Sequence, residues 1–268
     1  MIISDYHRFA FVHIPKNAGT SIRAQLARID ERNGYYAARR EGEQNHIRDY
    51  CHLTLAQLDQ LYPEELERLQ AYTTFCVLRD PVTRFNAAVA EYAKQELRRD
   101  ISTFSLSERL ELINDVIKKL NDFGASELPY WLVWFTPQAA FIEHRGQRFV
   151  SHIFPINDLS GAFALIREKT GISLDTHRRK NQSVAFSGNF SRIAARIGRH
   201  ARCVLGEGMY TSIRHSARAI LLLPLADSDK VSPEEMRERD TFVKDFYFDD
   251  YSIWREALAN ARENFTGG

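Results

Sequence analysis

Two loops hold the residues whose types and spacing could do chemistry. In the first, Lys16-Asn-Ala-Gly-Thr-Ser21, a lysine, a glycine and two hydroxyl residues follow an apolar run and precede a helical pattern. Backbone N–H groups at a helix start bind phosphate or sulfate, and a lysine and hydroxyl groups add donors to such a site. The second loop, Arg79-Asp-Pro81, follows another apolar run. The first loop therefore predicts a site for an anion.

The spacing in the first loop differs from that of the usual nucleoside triphosphate loop. In G-x-x-x-x-G-K-[ST] the lysine directly precedes the hydroxyl residue, whereas here Lys16 lies three residues before Gly19 and the first glycine is missing. This difference weakens an ATPase interpretation. A polar, capped helix start would explain Thr20 and Ser21 without any ligand, but it would not explain the lysine.

The elements around both loops predict an α/β fold. Residues 9–14 and 73–78 are apolar runs typical of buried strands, and each is followed by a helical pattern, the second over about 82–98. A third strand is predicted over 148–156, and further helices are predicted over 63–69, 107–120, 158–169 and 233–262. Alternating strands and helices indicate a central parallel sheet flanked by helices on both faces, with ligands at the carboxyl ends of the strands. Because no repeat or linker interrupts the chain, we expect a single domain over residues 1–268.

Composition removes several classes of protein. Lys and Arg number 36 against 35 Asp and Glu, a net charge of +1, which argues against a nucleic-acid-binding surface. Cys51, Cys76 and Cys203 form no metal-binding or disulfide spacing. The longest apolar run has eight residues, far fewer than the roughly 20 that a transmembrane segment needs. The start of the chain lacks the pattern of a signal peptide, so a cytoplasmic location is expected.

Both loops, with their flanking residues, resemble the signatures of a known family. His13-Ile-Pro-Lys-Asn-Ala-Gly-Thr-Ser-Ile22 is similar to the H-I-P-K-[TN]-A-G-T-S loop of carbohydrate-type (family 2-like) sulfotransferases, and Val77-Leu-Arg-Asp-Pro-Val-Thr-Arg-Phe85 is similar to their V-R-D-P-x-x-R signature. Looser similarity extends to Cys51-His-Leu-Thr-Leu55, Pro137-Gln138 and Asn181-Gln-Ser183. Only the first two matches are specific.

The resemblance implies a P-loop-like three-layer fold and a sulfotransferase of soluble, bacterial type. Such an enzyme moves a sulfuryl group from 3′-phosphoadenosine 5′-phosphosulfate to a hydroxyl or amine, here of a carbohydrate or glycolipid, and needs no metal. Lys16 would stabilise charge on the bridging oxygen, and Arg79 would bind the 3′-phosphate through two parallel hydrogen bonds. The implied donor-binding residues are Lys16, Asn17, Ala18, Gly19, Thr20, Ser21 and Arg79.

A base must take the proton of the acceptor, and histidine suits this role near neutral pH. His52 is the candidate because it lies in the segment that resembles the family's histidine region, and His46 is the reserve. His13 is expected to support the loop from the strand end. Nothing in the sequence identifies the acceptor, although Tyr130, Trp131, Trp134 and Phe135 form an aromatic group that would pack in the core or stack on a sugar.

One position departs from the family pattern. Ala87 stands where the family usually has a serine that binds the 3′-phosphate, so a hydrogen bond of about 1.5 to 3 kcal/mol would be missing. Asn86 and the basic residues 178–180 are candidates to replace it. Arg84 also matches the family signature, although a helix-surface ion pair is the commoner role for such an arginine. Two alternatives stay open: a P-loop NTPase or kinase that uses ATP and Mg²⁺, with Asp80 as the metal-binding carboxylate, and a non-catalytic binding protein on a sulfotransferase-like scaffold.

Overall fold

A computed structural model describes residues 1–37, 39–41, 47–125, 128–175 and 233–266. The strands are β1 (Ile2–Ser4), β2 (Phe9–Phe11), β3 (Arg39–Glu41), β4 (Ile47–Asp49), β5 (Thr73–Leu78), β6 (Glu143–His144), β7 (Gln147–Arg148) and β8 (His152–Pro155). The α-helices are α1 (Gly19–Leu26), α2 (Leu55–Leu61), α3 (Pro63–Ala71), α4 (Pro81–Gln95), α5 (Leu106–Phe123), α6 (Ser160–Thr170), α7 (Pro233–Phe246) and α8 (Phe248–Thr266). Predictions that concern His46, Cys203, residues 178–180 and Asn181–Ser183 lie outside the described residues.

The sheet that carries both loops has four strands in the order β1-β2-β5-β8. Strand β2 pairs in parallel with β5, with Ala10 opposite Thr74, and β5 pairs in parallel with β8, with Cys76 opposite Ile153. Strand β1 joins the edge in the antiparallel sense. The sheet is thus mostly parallel, and the carboxyl ends of β2 and β5 lie side by side.

Several predicted boundaries were wrong in detail. The predicted strand over 9–14 ends at Phe11, and the one over 148–156 is only His152–Pro155, because Arg148 pairs with Glu143 in the β6–β7 hairpin. The helix predicted over 82–98 runs from Pro81 to Gln95, and the one predicted over 233–262 is two helices, α7 and α8. Gly171 caps the end of α6 in the left-handed conformation with φ 69°.

Alternating side chains of the strands enter two hydrophobic layers. Phe9 and Phe11 of β2 pack on one face of the sheet with residues of α1 and α6, such as Leu26 and Ile166. Ala10, on the other face, belongs to a cluster that includes residues of α2, α3 and α8. The period of two along a strand produces this division, and the described residues are compatible with a three-layer α/β fold.

A separate hydrophobic cluster joins α4, α5 and α7 to the 3₁₀ helix Tyr130–Phe135. Within that 3₁₀ helix Trp134 and Phe135 are buried, whereas Tyr130 is 38% exposed. Core packing therefore accounts for Trp134 and Phe135, and a sugar-stacking surface made of all four aromatic residues was the wrong alternative. Among the described residues no helix is both long and apolar enough to cross a bilayer.

Candidate functional site

The loop between β2 and α1 has a constrained backbone. Lys16 and Ala18 adopt left-handed conformations with φ 66° and φ 61°, which cost non-glycine residues roughly 1 to 2 kcal/mol each. Ala18 is the N-cap of α1 and provides no side-chain cap, so the alternative of a polar cap formed by Thr20 and Ser21 was wrong. The N–H groups at a helix start that lack a side-chain cap are donors for an anion. Strain of this kind clusters at ligand sites.

Gly19 is required by the buried side chain of His13. A Cβ atom on Gly19 would lie 2.0 Å from Cδ2 and 2.4 Å from Nε2 of His13. The His13 ring is stacked against Phe11, with ring centroids 5.9 Å apart, and burial lowers the pKa of His13 well below its ordinary value. A neutral histidine thus packs under the start of α1, in line with its expected supporting role.

Lys16 forms an ion pair that the sequence did not predict. Its Nζ donates to Oε2 of Glu91 at 2.7 Å, and the other carboxylate oxygen of Glu91 accepts from Nε2 of Gln95 at 2.7 Å. Both side chains of the pair are partly buried, with 26% of Lys16 and 20% of Glu91 exposed. The proposed catalytic cation is therefore held by helix α4. Glu91 lies one helical turn after Ala87, on the same face, but nothing local in the sequence marks it as a partner of Lys16.

Arg79 lies against the first loop. Its Nη1 donates to the backbone carbonyl of Lys16 at 3.3 Å, and burial lowers the pKa of its guanidinium. The backbone of Arg79 is held by Gln138, whose Oε1 accepts from the N–H of Arg79 at 3.1 Å and whose Nε2 donates to the carbonyl of Arg79 at 2.9 Å. The structure thus brings the guanidinium of Arg79 into contact with the backbone of the first loop, in line with the adjacent positions of the two strand ends.

A buried polar network connects this pair of loops to the last helix. Nδ2 of Asn17 donates to Oε1 of Gln138 at 2.7 Å and to the carbonyl of Val77 at 2.8 Å. Asp250 of α8 accepts from the backbone N–H groups of Gln138 and Ala139, both at 2.9 Å. Asn17 is only 1% exposed, so we expect its contact with any ligand to come from the backbone. The sequence pointed to Gln138 only through a loose similarity and did not point to Asp250.

Arg84 is buried beneath the first loop, so its predicted role as a surface ion pair was wrong. It is 1% exposed and donates to the carbonyls of Pro15 at 3.4 Å and Trp134 at 3.1 Å. Its guanidinium lies 3.9 Å from the carboxylate of Asp250 and 5.7 Å from the ring centre of Tyr247. Burial raises the pKa of Asp250, and Arg84 opposes that shift. Arg84 therefore supports the loop from below.

His52 is attached to the same strand end. Its Nδ1 lies 3.0 Å from the carbonyl oxygen of His13, and the two rings are 4.4 Å apart. A carbonyl only accepts, so Nδ1 carries the proton and the lone pair of the neutral ring is on Nε2. Burial lowers the pKa of His52 to about 4. At neutral pH the ring is therefore uncharged and able to accept a proton at Nε2.

Of the candidates for replacing the missing serine, Asn86 lies within the described residues. Asn86 is exposed on α4, beside the partly buried Ala87. Oδ1 of Asn86 accepts from Nη1 of Arg239 on α7 at 3.4 Å, and Arg239 also pairs with Asp240. A cation that the sequence did not single out thus lies next to Asn86.

A family model matches the part of the chain that contains both loops. Residues 1–107 match the model of the sulfotransferase family. The matched segment contains Lys16, His52, Arg79 and Glu91 but ends before Gln138. No curated protein and no solved structure shows significant similarity to the chain. The match covers 107 of 268 residues, less than half of the chain, and over that length the chain is similar to sulfotransferases.

Proposed function

We propose that this chain transfers a sulfuryl group from 3′-phosphoadenosine 5′-phosphosulfate to a hydroxyl or amine, in a carbohydrate or glycolipid acceptor. The observation that carries the proposal is the contact between the two motifs, in which Nη1 of Arg79 donates to the carbonyl of Lys16 at 3.3 Å. The two loops thereby meet at adjacent ends of parallel strands, within a segment that matches the sulfotransferase family.

The side chains present suit such a donor. The start of α1 offers uncapped N–H groups and the exposed Thr20 for the phosphosulfate, and Arg79 offers a planar guanidinium for the 3′-phosphate. When bound, the donor supplies an activated sulfuryl group, and the phosphate keeps the electron pair of the broken S–O bond. The strand–loop–helix arrangement also supports a P-loop-like description of the fold.

Lys16 and His52 divide the catalytic work in this proposal. The ammonium of Lys16 stabilises negative charge that grows on the leaving phosphate oxygen. His52 accepts the acceptor's proton at Nε2, because Nδ1 is already bonded to the carbonyl of His13. A pKa of about 4 keeps His52 unprotonated at neutral pH, and the proton then passes to water.

The decisive experiment compares two isomeric nucleotides by titration calorimetry. Adenosine 3′,5′-bisphosphate and adenosine 5′-diphosphate have the same atoms and differ only in the position of one phosphate. We expect the wild type to prefer the 3′,5′ isomer at least about tenfold, the size of one charge-assisted contact. Arg79→Ala should remove the preference, and Lys16→Ala should weaken the binding of both nucleotides. Arg28→Ala, which removes an exposed cation from the 3₁₀ helix after α1, is the control. Equal affinity for the two isomers would refute the proposal.

Two observations favour a second candidate, a non-catalytic anion-binding protein. Ala87 lacks the serine hydroxyl, and Glu91 on the same face of α4 already holds Lys16. Assays with radiolabelled donor and a panel of acceptors separate the two candidates. A catalyst gives labelled product that His52→Asn reduces, whereas the second candidate binds the bisphosphate and yields no product.

The ATP alternative gains no support from Asp80. Its carboxylate accepts from the backbone N–H of Thr83 at 2.9 Å and thereby caps α4. This cap explains the residue without a metal ion. Mg²⁺-dependent turnover of ATP would nevertheless favour a kinase or NTPase over sulfuryl transfer. The acceptor, the absence of a metal requirement and the cytoplasmic location stay predictions.

A further inference from the structure

Glu91, which forms an ion pair with Lys16, takes no part in the proposed steps of sulfuryl transfer. Sulfuryl transfer requires the ammonium of Lys16 beside an anionic donor, yet Nζ lies 2.7 Å from a carboxylate oxygen of Glu91. Any anion that uses Lys16 must therefore share this cation with Glu91 or take it over.

The carboxylate of Glu91 is fixed rather than loosely attached. Oε2 accepts from Lys16 and Oε1 accepts from Gln95, which lies one turn later on α4. Burial by itself would raise the pKa of Glu91, but the hydrogen bonds from Lys16 and Gln95 hold that pKa below its ordinary value. Glu91 is therefore charged at neutral pH and offsets the charge of Lys16.

The other end of Lys16 is also held. Its carbonyl accepts from Arg79 at 3.3 Å, and its backbone is left-handed. The backbone of Lys16 is thus fixed relative to the second motif, while the flexible side chain lies within reach of α4. The contacts of the backbone leave the side chain of Lys16, which has four rotatable bonds, as the part that can change partner.

We propose that Glu91 competes with the donor's anionic group for Lys16 and so sets the affinity of the site. The proposal rests on the proposed function. In the donor-free site Glu91 satisfies the ammonium of Lys16, and binding of the phosphosulfate transfers that ammonium to the ligand. Glu91 is thus a residue that weakens donor binding and holds the side chain of Lys16 in place.

The test is the affinity of Glu91→Gln for adenosine 3′,5′-bisphosphate, measured by calorimetry. Glutamine keeps a hydrogen-bond acceptor for Lys16 but removes the competing charge. We expect binding about fivefold tighter than in the wild type, the effect of one partly exposed ion pair. Glu96→Gln, with the same change of charge at an exposed position just after α4, should change the affinity less than twofold. If Glu91 only supports the loop, Glu91→Gln would bind more weakly, and weaker or unchanged binding would overturn the proposal.

The same substitution in a variant without Lys16 distinguishes competition for Lys16 from direct repulsion between Glu91 and the ligand. In Lys16→Ala, the further change Glu91→Gln should have no effect, because Glu91 acts through Lys16. Equal tightening with and without Lys16 would overturn the proposal in favour of plain repulsion between Glu91 and the ligand.

Failure of the proposed function can be distinguished from failure of the proposed role of Glu91. If the wild type does not distinguish the two adenosine isomers, the donor assignment is wrong, but competition is still measured by titrating inorganic sulfate. Tighter sulfate binding by Glu91→Gln then supports the role of Glu91. Binding of neither sulfate nor bisphosphate to the wild type or to Glu91→Gln would overturn both proposals.

Discussion

Replacement of Gly19 by alanine tests whether the donor loop depends on the packing of His13. The added Cβ would lie 2.0 Å from Cδ2 of His13, whereas non-bonded carbon atoms prefer about 3.5 to 4.0 Å. The ring therefore has to move by roughly 1.5 Å on this estimate. Such a movement is blocked, because the ring is buried between Phe11 and His52.

Two effects of this substitution oppose each other. Alanine is favoured over glycine in a helix by up to about 1 kcal/mol, and forced overpacking of a core costs about 1 to 3 kcal/mol, sometimes more. The short contact involves the side-chain ring of His13, which is buried and so has little room to rotate away. We therefore expect Gly19→Ala to lower the free energy of unfolding by about 2 kcal/mol, measured by urea titration.

A double-mutant cycle with His13→Ala makes the test specific. Removal of the ring creates room for the new Cβ, so Gly19→Ala should cost close to nothing in the His13→Ala background. The expected coupling energy is about 2 kcal/mol. Gly161→Ala, whose Cβ would meet only the partly exposed ring of Phe154 at 2.8 Å, is the comparison and should cost less. Additive effects of Gly19→Ala and His13→Ala would refute the explanation.

Three further predictions concern the surrounding residues. The unfolded chain protonates His52 near pH 6.5 and the folded chain near pH 4, so stability falls as the pH falls through this window, by up to about 3 kcal/mol. His52→Asn, which does not titrate, should flatten part of that slope in urea titrations at pH 7 to pH 4, and equal slopes would contradict the assignment. Arg84→Met leaves the carboxylate of Asp250 buried without its cation and should cost about 3 to 5 kcal/mol. Adding Asp250→Asn should restore part of this stability, and no recovery would count against the buried pair. Gln138→Met should reduce the preference for adenosine 3′,5′-bisphosphate over adenosine 5′-diphosphate in calorimetry, because the backbone of Arg79 loses both hydrogen bonds to Gln138. An unchanged preference would show that these hydrogen bonds have no role in binding.

The sequence predicts the positions of both loops because the signals there are local. Apolar runs identify β2 and β5, although β2 ends at Phe11 rather than just before Pro15, and Pro81 begins α4 soon after β5 ends. The parallel pairing of β2 with β5 then brings Lys16 and Arg79 together. Burial on both faces of a parallel sheet produces continuous apolar runs, so this part of the fold is readable without tertiary information.

The residues that hold the loops could not be predicted in the same way. Asp250 contacts Gln138 across 112 positions of sequence, and Glu91 contacts Lys16 across 75. Whether a charged residue of an amphipathic helix faces solvent or a loop depends on how that helix packs, which periodicity alone does not determine. Arg84 shows the consequence, because a surface ion pair is the commoner role of a helix arginine although this side chain is buried.

Asp250 shows that the folded site extends beyond the segment that carries the two sequence signatures. The recognisable signatures lie within residues 1–107, but the backbone of Arg79 is set by Gln138, and the segment of Gln138 is anchored by a carboxylate on α8. Transfer of the two signatures into another protein would therefore carry over the signature residues without the contacts that position them. The unit that must be kept whole in protein engineering, or compared among relatives, includes the helix Phe248–Thr266.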